Sequence, residues 1–160
     1  MKAVMYHYVR QHHSQLPYFR FLHVDDFEKQ LDYFEQHESG FVEKDEFWRF
    51  VEGGPIPKGV LLTFDDGMSD HFEHVYPILK KRNLWGMFFV PGAAIQKKML
   101  TIHKIHLLIG VAPGDLLLES LKALLQDEDI NQEHKVAFSA KTYGRQESEA
   151  SSIKEFKTIL

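Results

Sequence analysis

The sequence predicts an α/β fold built on parallel strands, with an extra helical segment at the C-terminal end. Three observations carry this. Val60-Leu61-Leu62-Thr63-Phe64 is an apolar run bounded by Gly59 and by Asp65-Asp66-Gly67, the pattern of a short strand buried on both faces. A second apolar run, residues 85–90, closes at Pro91-Gly92. A helix-period segment separates the two runs with short joints, so strand, helix and strand form a unit whose strands are parallel. Beyond residue 96 the apolar spacing is helical.

Taken in order, residues 3–9 are rich in β-branched and aromatic side chains and read as the first strand. His7, inside it, reads as a half-buried histidine satisfied by its neighbours. Residues 10–16 are polar; His12 and His13 are adjacent, point to different sides and make a poor chelate. Asp25 is expected to cap a helix in a capping box with Glu28. Phe27, Leu31 and Phe34 give that helix one apolar face, and Gly40 lies beyond its end. Phe41-Val42 starts a short strand. Residues 45–51 form a second helix with Phe47, Phe50 and Val51 inward, and Gly53-Gly54-Pro55-Ile56-Pro57 breaks the chain before the central strand.

After Gly67, Ser69 or Asp70 is expected to cap a helix whose buried stripe is Phe72, Val75, Ile78 and Leu79. Pro77 demands a first turn or a kink there. His71 and His74 read as helix-surface residues. Asn83 ends the helix in the left-handed region, and residues 85–90 form another buried strand. Residues 96–109 predict a helix ended by Gly110. Asp115 caps the next, which packs Leu117, Leu118, Leu121, Leu124 and Leu125. Residues 127–151 are polar, with Val136 and Phe138 as their few apolar anchors, and are expected to be a mobile excursion. A last helix starts at Ser152, with Ile153, Phe156 and Leu160 on one face. The sequence shows no internal repeat.

A chain of 160 residues is long enough for one domain, 1–160, with its own core. Its formal charge of −4 supplies no basic field for nucleic acid. Cysteine is absent, which removes disulfides, thiolate zinc sites and a thiol nucleophile. No signal-peptide pattern opens the chain and no run has the length of a membrane span. No membrane partner is expected, and a cytoplasmic location is the default.

The chemistry lies in Asp65 and Asp66. Two adjacent carboxylates at the end of a strand point in different directions. One can hold a divalent cation while the other takes a proton from water. The bland alternative is an Asp-Gly turn in which one carboxylate caps the following helix. A phosphatase of the haloacid-dehalogenase type needs a second Asp two positions after the first, and position 67 is Gly.

Thr63-Phe64-Asp65-Asp66-Gly67 resembles the first signature motif of the polysaccharide deacetylases, the NodB-homology family (carbohydrate esterase family 4). The flanks are similar too: Met5-Tyr6-His7-Tyr8-Val9, Phe27-Glu28-Lys29-Gln30-Leu31, His74-Val75-Tyr76-Pro77-Ile78-Leu79 and Met87-Phe88-Phe89-Val90-Pro91-Gly92. The resemblance runs from Met1 to about Gly92. It implies a distorted (β/α) barrel and metal-dependent removal of the acetyl group from an N-acetylated sugar or polysaccharide. Carried onto this chain, it implies that Asp65 is the general base and Asp66 a ligand to a divalent metal, most often zinc.

The family's second motif, two histidines four apart with Ser or Thr after the first, has no match. The nearest pair is His103 and His106, which share a helix face at i and i+3 but carry Lys104 in place of the hydroxyl residue. They read as structural or rim histidines. The later arginine, Asp-Trp and Leu-x-His motifs have no match either; Phe21-Leu22-His23 lies upstream of the carboxylates. The expectation is an N-terminal part of such a deacetylase, with an exposed apolar face prone to self-association. A catalytically incompetent half-domain or binding module is the alternative.

Overall fold

A computed structural model describes residues 1–125 and 149–159. The chain divides into two compact units: residues 1–12 with 20–99, and residues 13–19 with those from 100 onward.

The first unit is α/β with parallel strands, as the sequence predicts. Its sheet has the order β1-β4-β5, with β1 Lys2–Tyr6, β4 Val60–Phe64 and β5 Gly86–Phe88. Lys2 pairs with Val60 through to Tyr6 with Phe64, and Leu62 with Gly86 through to Phe64 with Phe88. Two short parallel strands, β2 Val9–Arg10 and β3 Leu22–His23, form a separate ladder. The expected single strand over residues 3–9 is therefore interrupted after Tyr6, where the chain leaves one sheet and enters the other. Among the described residues the three-stranded sheet is an arc, not a closed barrel.

β4 is central and covered on both sides. Val60, Leu62 and Phe64 point to one face, and alternation sends Leu61 to the other; all four are buried. The first face joins Tyr6, Val9, Val24, Phe27, Leu31, Val75 and Leu79 in one apolar cluster. Phe27 and Leu31 come from helix α1, Val24–His37, and Val75 and Leu79 from the helical segment after the carboxylates. β5 is not the buried strand expected: it runs along one side of the arc, it is three residues long, and Phe88, Phe89 and Val90 are exposed.

Local details correct several other expectations. His23, not Asp25, caps α1: its side chain accepts the amide of Asp25, which leaves Asp25 and Asp26 in the first turn, beside the positive end of the helix dipole. Helix α2, Lys44–Val51, is capped by a box between Glu43 and Glu46, and Val51 faces solvent. Phe41 forms a bridge to Val60 in place of a strand.

After Gly67, Ser69 and Asp70 are already helical, and neither is a cap. His71–Val75 is a π-helical turn whose widened ring closes from the Tyr76 amide to the His71 carbonyl. It ends just ahead of Pro77, which has no N–H to give, and α3, Tyr76–Lys81, continues with that proline in its first turn. His71 lies on the buried face with Val75 and Leu79, and Phe72, one residue round, is 76% exposed. The expected surface histidine and core phenylalanine thus exchange places. Asn83 has φ 53°, as expected. The amides of Leu84 and Asn83 return to the carbonyls of Leu79 and Lys80, which completes a Schellman cap.

The short helix α4, Gly92–Ile95, closes the first unit, and residues 96–100 are not helical. In the second unit α5 is Thr101–Val111, α6 is Gly114–Leu124 and α7 is Ser151–Ile159. Gly110 does not end its helix: it lies within α5, where a Cβ would come 2.8 Å from the Phe19 ring. Pro113, not Asp115, precedes the first turn of α6, and Leu124 is exposed. α6 packs on α7 through Gly114 against Ile153, with Lys122 paired to Glu155 at 2.8 Å. Of the expected excursion, residues 127–148 lie outside the described residues, as does Leu160.

Two substitutions check this packing. A Cβ at Gly86 would meet the Phe64 ring at 2.7 Å and Leu79 at 3.3 Å, so Gly86→Ala is expected to cost about 1–3 kcal/mol by overpacking. Phe72→Ser is expected to stay within about 0.5 kcal/mol of the parent, as at other exposed positions. Chemical denaturation of the two variants reads both values.

Candidate active site at the ends of the parallel strands

Asp65 and Asp66 leave the C-terminal end of β4, where α/β sheets place their sites. The ladder reaches one residue past the strand, with the Asp65 amide donating to the Tyr6 carbonyl at 2.9 Å. The chain then turns sharply: Asp66 has φ 73° and Gly67 φ 58°. Asp tolerates this left-handed region better than most residues, and non-glycine residues held there concentrate at functional sites. At Gly67 a Cβ would also stand 3.0 Å from Val90. The turn brings both carboxylates to an open groove of about 580 Å³, lined by Asp65, Asp66, Phe88, Phe89, Val90 and Pro91. Carboxylates on one wall and exposed aromatic and aliphatic side chains on the other suit a ligand with both polar and apolar surface.

The parallel register sets a histidine beside this pair. Tyr6 is opposite Phe64, and the chain next places His7 with its Nε2 3.5 Å from Asp66 Oδ2. The ring is half-exposed and reachable by solvent or by a bound molecule. Nothing local in the sequence signals this contact. The available clue is positional: a Tyr-His step at the end of one strand, and an Asp pair at the end of the strand that lies beside it.

Behind the rim lies a polar cluster. Asp70 and His71 are 7% and 3% exposed. The Asp70 carboxylate accepts from Arg10 Nε at 2.6 Å, and Arg10 also stands 5.1 Å over the Tyr8 ring. His71 Nε2 lies 2.6 Å from the His7 carbonyl, so that nitrogen carries the proton and donates. Burial lowers the His71 pKa from its ordinary value, more than the His7 carbonyl and the Asp70 charge raise it. The ring is therefore neutral, and its buried Nδ1 has no hydrogen-bond partner. Burial also pushes the Tyr6 and Tyr8 phenols up to about 12, so both stay protonated; Tyr6 donates to Gln30 at 2.9 Å.

Asp65 and Asp66 are brought together at the groove. His103 and His106 lie on α5 with ring centroids 6.3 Å apart. Among the described residues no group of three or more His, Asp or Glu side chains is placed to hold a metal ion. Catalytic zinc ordinarily takes three protein ligands, so the described residues alone do not make a zinc site.

Comparison with known proteins agrees with the motif. The family model described as polysaccharide deacetylase matches residues 52–145. YxkH of Bacillus subtilis, a protein named for that family, is 42% identical over 53 residues, 33% of this chain and 17% of its own. The poly-beta-1,6-N-acetyl-D-glucosamine N-deacetylase of Staphylococcus aureus is 34% identical over 65 residues, 40% of this chain and 22% of its own. The matched region is thus about a fifth of the length of these relatives. A solved de-N-acetylase from Aggregatibacter actinomycetemcomitans superposes with a TM-score of 0.50 over 78% of this chain and 51% of that one. At 18% identity, that likeness is one of fold.

The His71 ring gives a pH prediction. Its pKa is lowered in the folded state, so below its ordinary value of 6.5 the unfolded chain binds more protons than the folded one. The stability that His71 contributes is therefore present above pH 6.5 and is lost as pH falls from there towards the lowered folded value. Unfolding free energies from denaturant titrations between pH 5 and pH 8 are expected to fall more steeply on the acid side for the parent than for His71→Gln, whose amide does not titrate.

Proposed function

The chain belongs to the polysaccharide deacetylase family, and from that premise we propose that it carries the carboxylate half of a hydrolytic site acting on an N-acetylated sugar. The observation that carries this reading is the placement of Asp65 and Asp66 at the end of a buried strand, where the chain turns through left-handed Asp66 and Gly67, in a groove with apolar side chains opposite and His7 beside Asp66. The three parallel strands are read as one arc of a distorted (β/α) barrel, and that groove as part of its rim. The substrate class is a polymer of N-acetylglucosamine, by analogy with the staphylococcal relative.

Each protein group has a role. Asp65 takes a proton from water as the water oxygen adds to the acetamide carbonyl carbon. The tetrahedral intermediate then breaks its carbon–nitrogen bond. The nitrogen takes up a proton as it leaves, and acetate and a free amine result. Delivery of that proton is assigned to His7, the imidazole beside Asp66. Phe88, Phe89 and Val90 offer an apolar wall to the sugar ring and the acetyl methyl. A divalent cation, zinc first, would take Asp66 as one of its ligands. The described residues leave that ligand set short, and no step above is routed through it.

A second reading has its own support. Among the described residues the ligand set is short, which suits a module that binds the sugar without hydrolysing it. One experiment separates the two: acetate release from an N-acetylglucosamine oligomer with added zinc, together with oligomer binding by calorimetry. The hydrolytic reading expects acetate release that drops by at least about 10²-fold in Asp65→Asn and is likewise lost in Asp66→Asn. Binding with no release above the Asp65→Asn background favours the module, and no binding at all removes both.

A further inference from the structure

Asp70 and His71 are buried polar residues on a helix face that otherwise presents Val75 and Leu79 to the core. Apolar side chains there would avoid desolvating a carboxylate and an imidazole. The imidazole is not even fully satisfied, because its Nδ1 is buried without a hydrogen-bond partner. Stability alone does not account for such a pair. What the two share is the stretch of chain they hold. His71 donates to the His7 carbonyl at 2.6 Å, and Asp70 accepts from Arg10 at 2.6 Å. Both ends of the four-residue stretch from His7 to Arg10, which leaves β1 and runs through β2, are thereby tied to the helix that follows the carboxylates. The π-helical turn begins at His71, and such turns occur disproportionately at functional sites.

We propose that Asp70 and His71 are positioning residues that hold the link from His7 to Arg10 against the helix and so fix the direction in which His7 faces Asp66. A freely moving link would let a half-exposed histidine swing into solvent. With its carbonyl held by His71, the His7 backbone has little room to turn, and the ring remains 3.5 Å from the carboxylate. The arrangement matters to catalysis only if Asp65 and Asp66 form the hydrolytic centre proposed above, and in that sense it rests on that reading.

The test follows the His7 ring nitrogens by NMR in the 160-residue chain, with and without Asp66→Asn. In the native background this substitution is expected to shift the His7 ring resonances. In a His71→Phe background, which keeps the ring volume and removes the donor, the response is expected to disappear. His71→Gln, whose amide can donate to the same carbonyl, is expected to restore it. A response of equal size in all three backgrounds overturns the proposal, and so does its absence from the native chain. If His71→Phe does not fold, Arg10→Met, which cuts the other tether, is read in the same way. Acetate release is measured alongside. A lost and rescued NMR response with no acetate from the native chain leaves the positioning intact and removes the hydrolytic reading. Acetate release with an unchanged NMR response does the reverse.

Discussion

Phe64 is the constraint on which the first unit depends. It is the last residue of the central strand and is fully buried. Its ring stacks on Phe88 at 4.7 Å and on Tyr6 at 5.4 Å, and meets His71 at 5.5 Å and Phe27 edge-on at 6.0 Å. All three strands of the sheet, helix α1 and the helical segment after the carboxylates therefore converge on one side chain. Aromatic pairs of this kind contribute roughly 0.5–1.5 kcal/mol each beyond the area they bury. Their larger effect is geometric. Interiors are close-packed and transmit displacement, so the seat of Phe64 determines where Asp65 leaves the strand.

The core and the rim are thus one device. Phe64 faces inward, and the next two residues carry the carboxylates into an open groove. The sharp turn that follows depends on an Asp and a Gly with positive φ. The helix beyond it does two jobs. Val75 and Leu79 close the apolar cluster, and Asp70 and His71 hold the link that bears His7. Polar and apolar residues share one helix face because that face spans both the core and the underside of the candidate site.

Much of this is legible residue by residue. Val60 to Phe64 reads as a doubly covered strand because its apolar run is continuous. Asn83 reads as a left-handed helix end because its short polar side chain tolerates that conformation. The Asp-Asp-Gly step marks the candidate site and, with its flanks, the family. The errors are equally specific. Asp25 has the chemistry of a cap, but the helix starts earlier and His23 supplies the acceptor. Phe72 is the more apolar neighbour, yet His71 takes the buried position because the His7 carbonyl and the Asp70 carboxylate give that face polar work. Residues 85–90 have the composition of an inner strand and lie at one side of the arc, because composition reports what a strand can bury and not how many neighbours it has.

The sequence by itself determined the elements whose information is local: strand β4, most of the helices, the left-handed Asn83 and the carboxylate pair. Periodicity and steric limits act within a few residues, so these features are written where they occur. Only the tertiary structure decided that His7 faces Asp66, that Arg10 reaches Asp70 and that His71 holds the His7 carbonyl. These partners are about sixty residues apart in sequence. They meet because parallel pairing puts the ends of β1 and β4 side by side, a consequence of sheet register that no local pattern records.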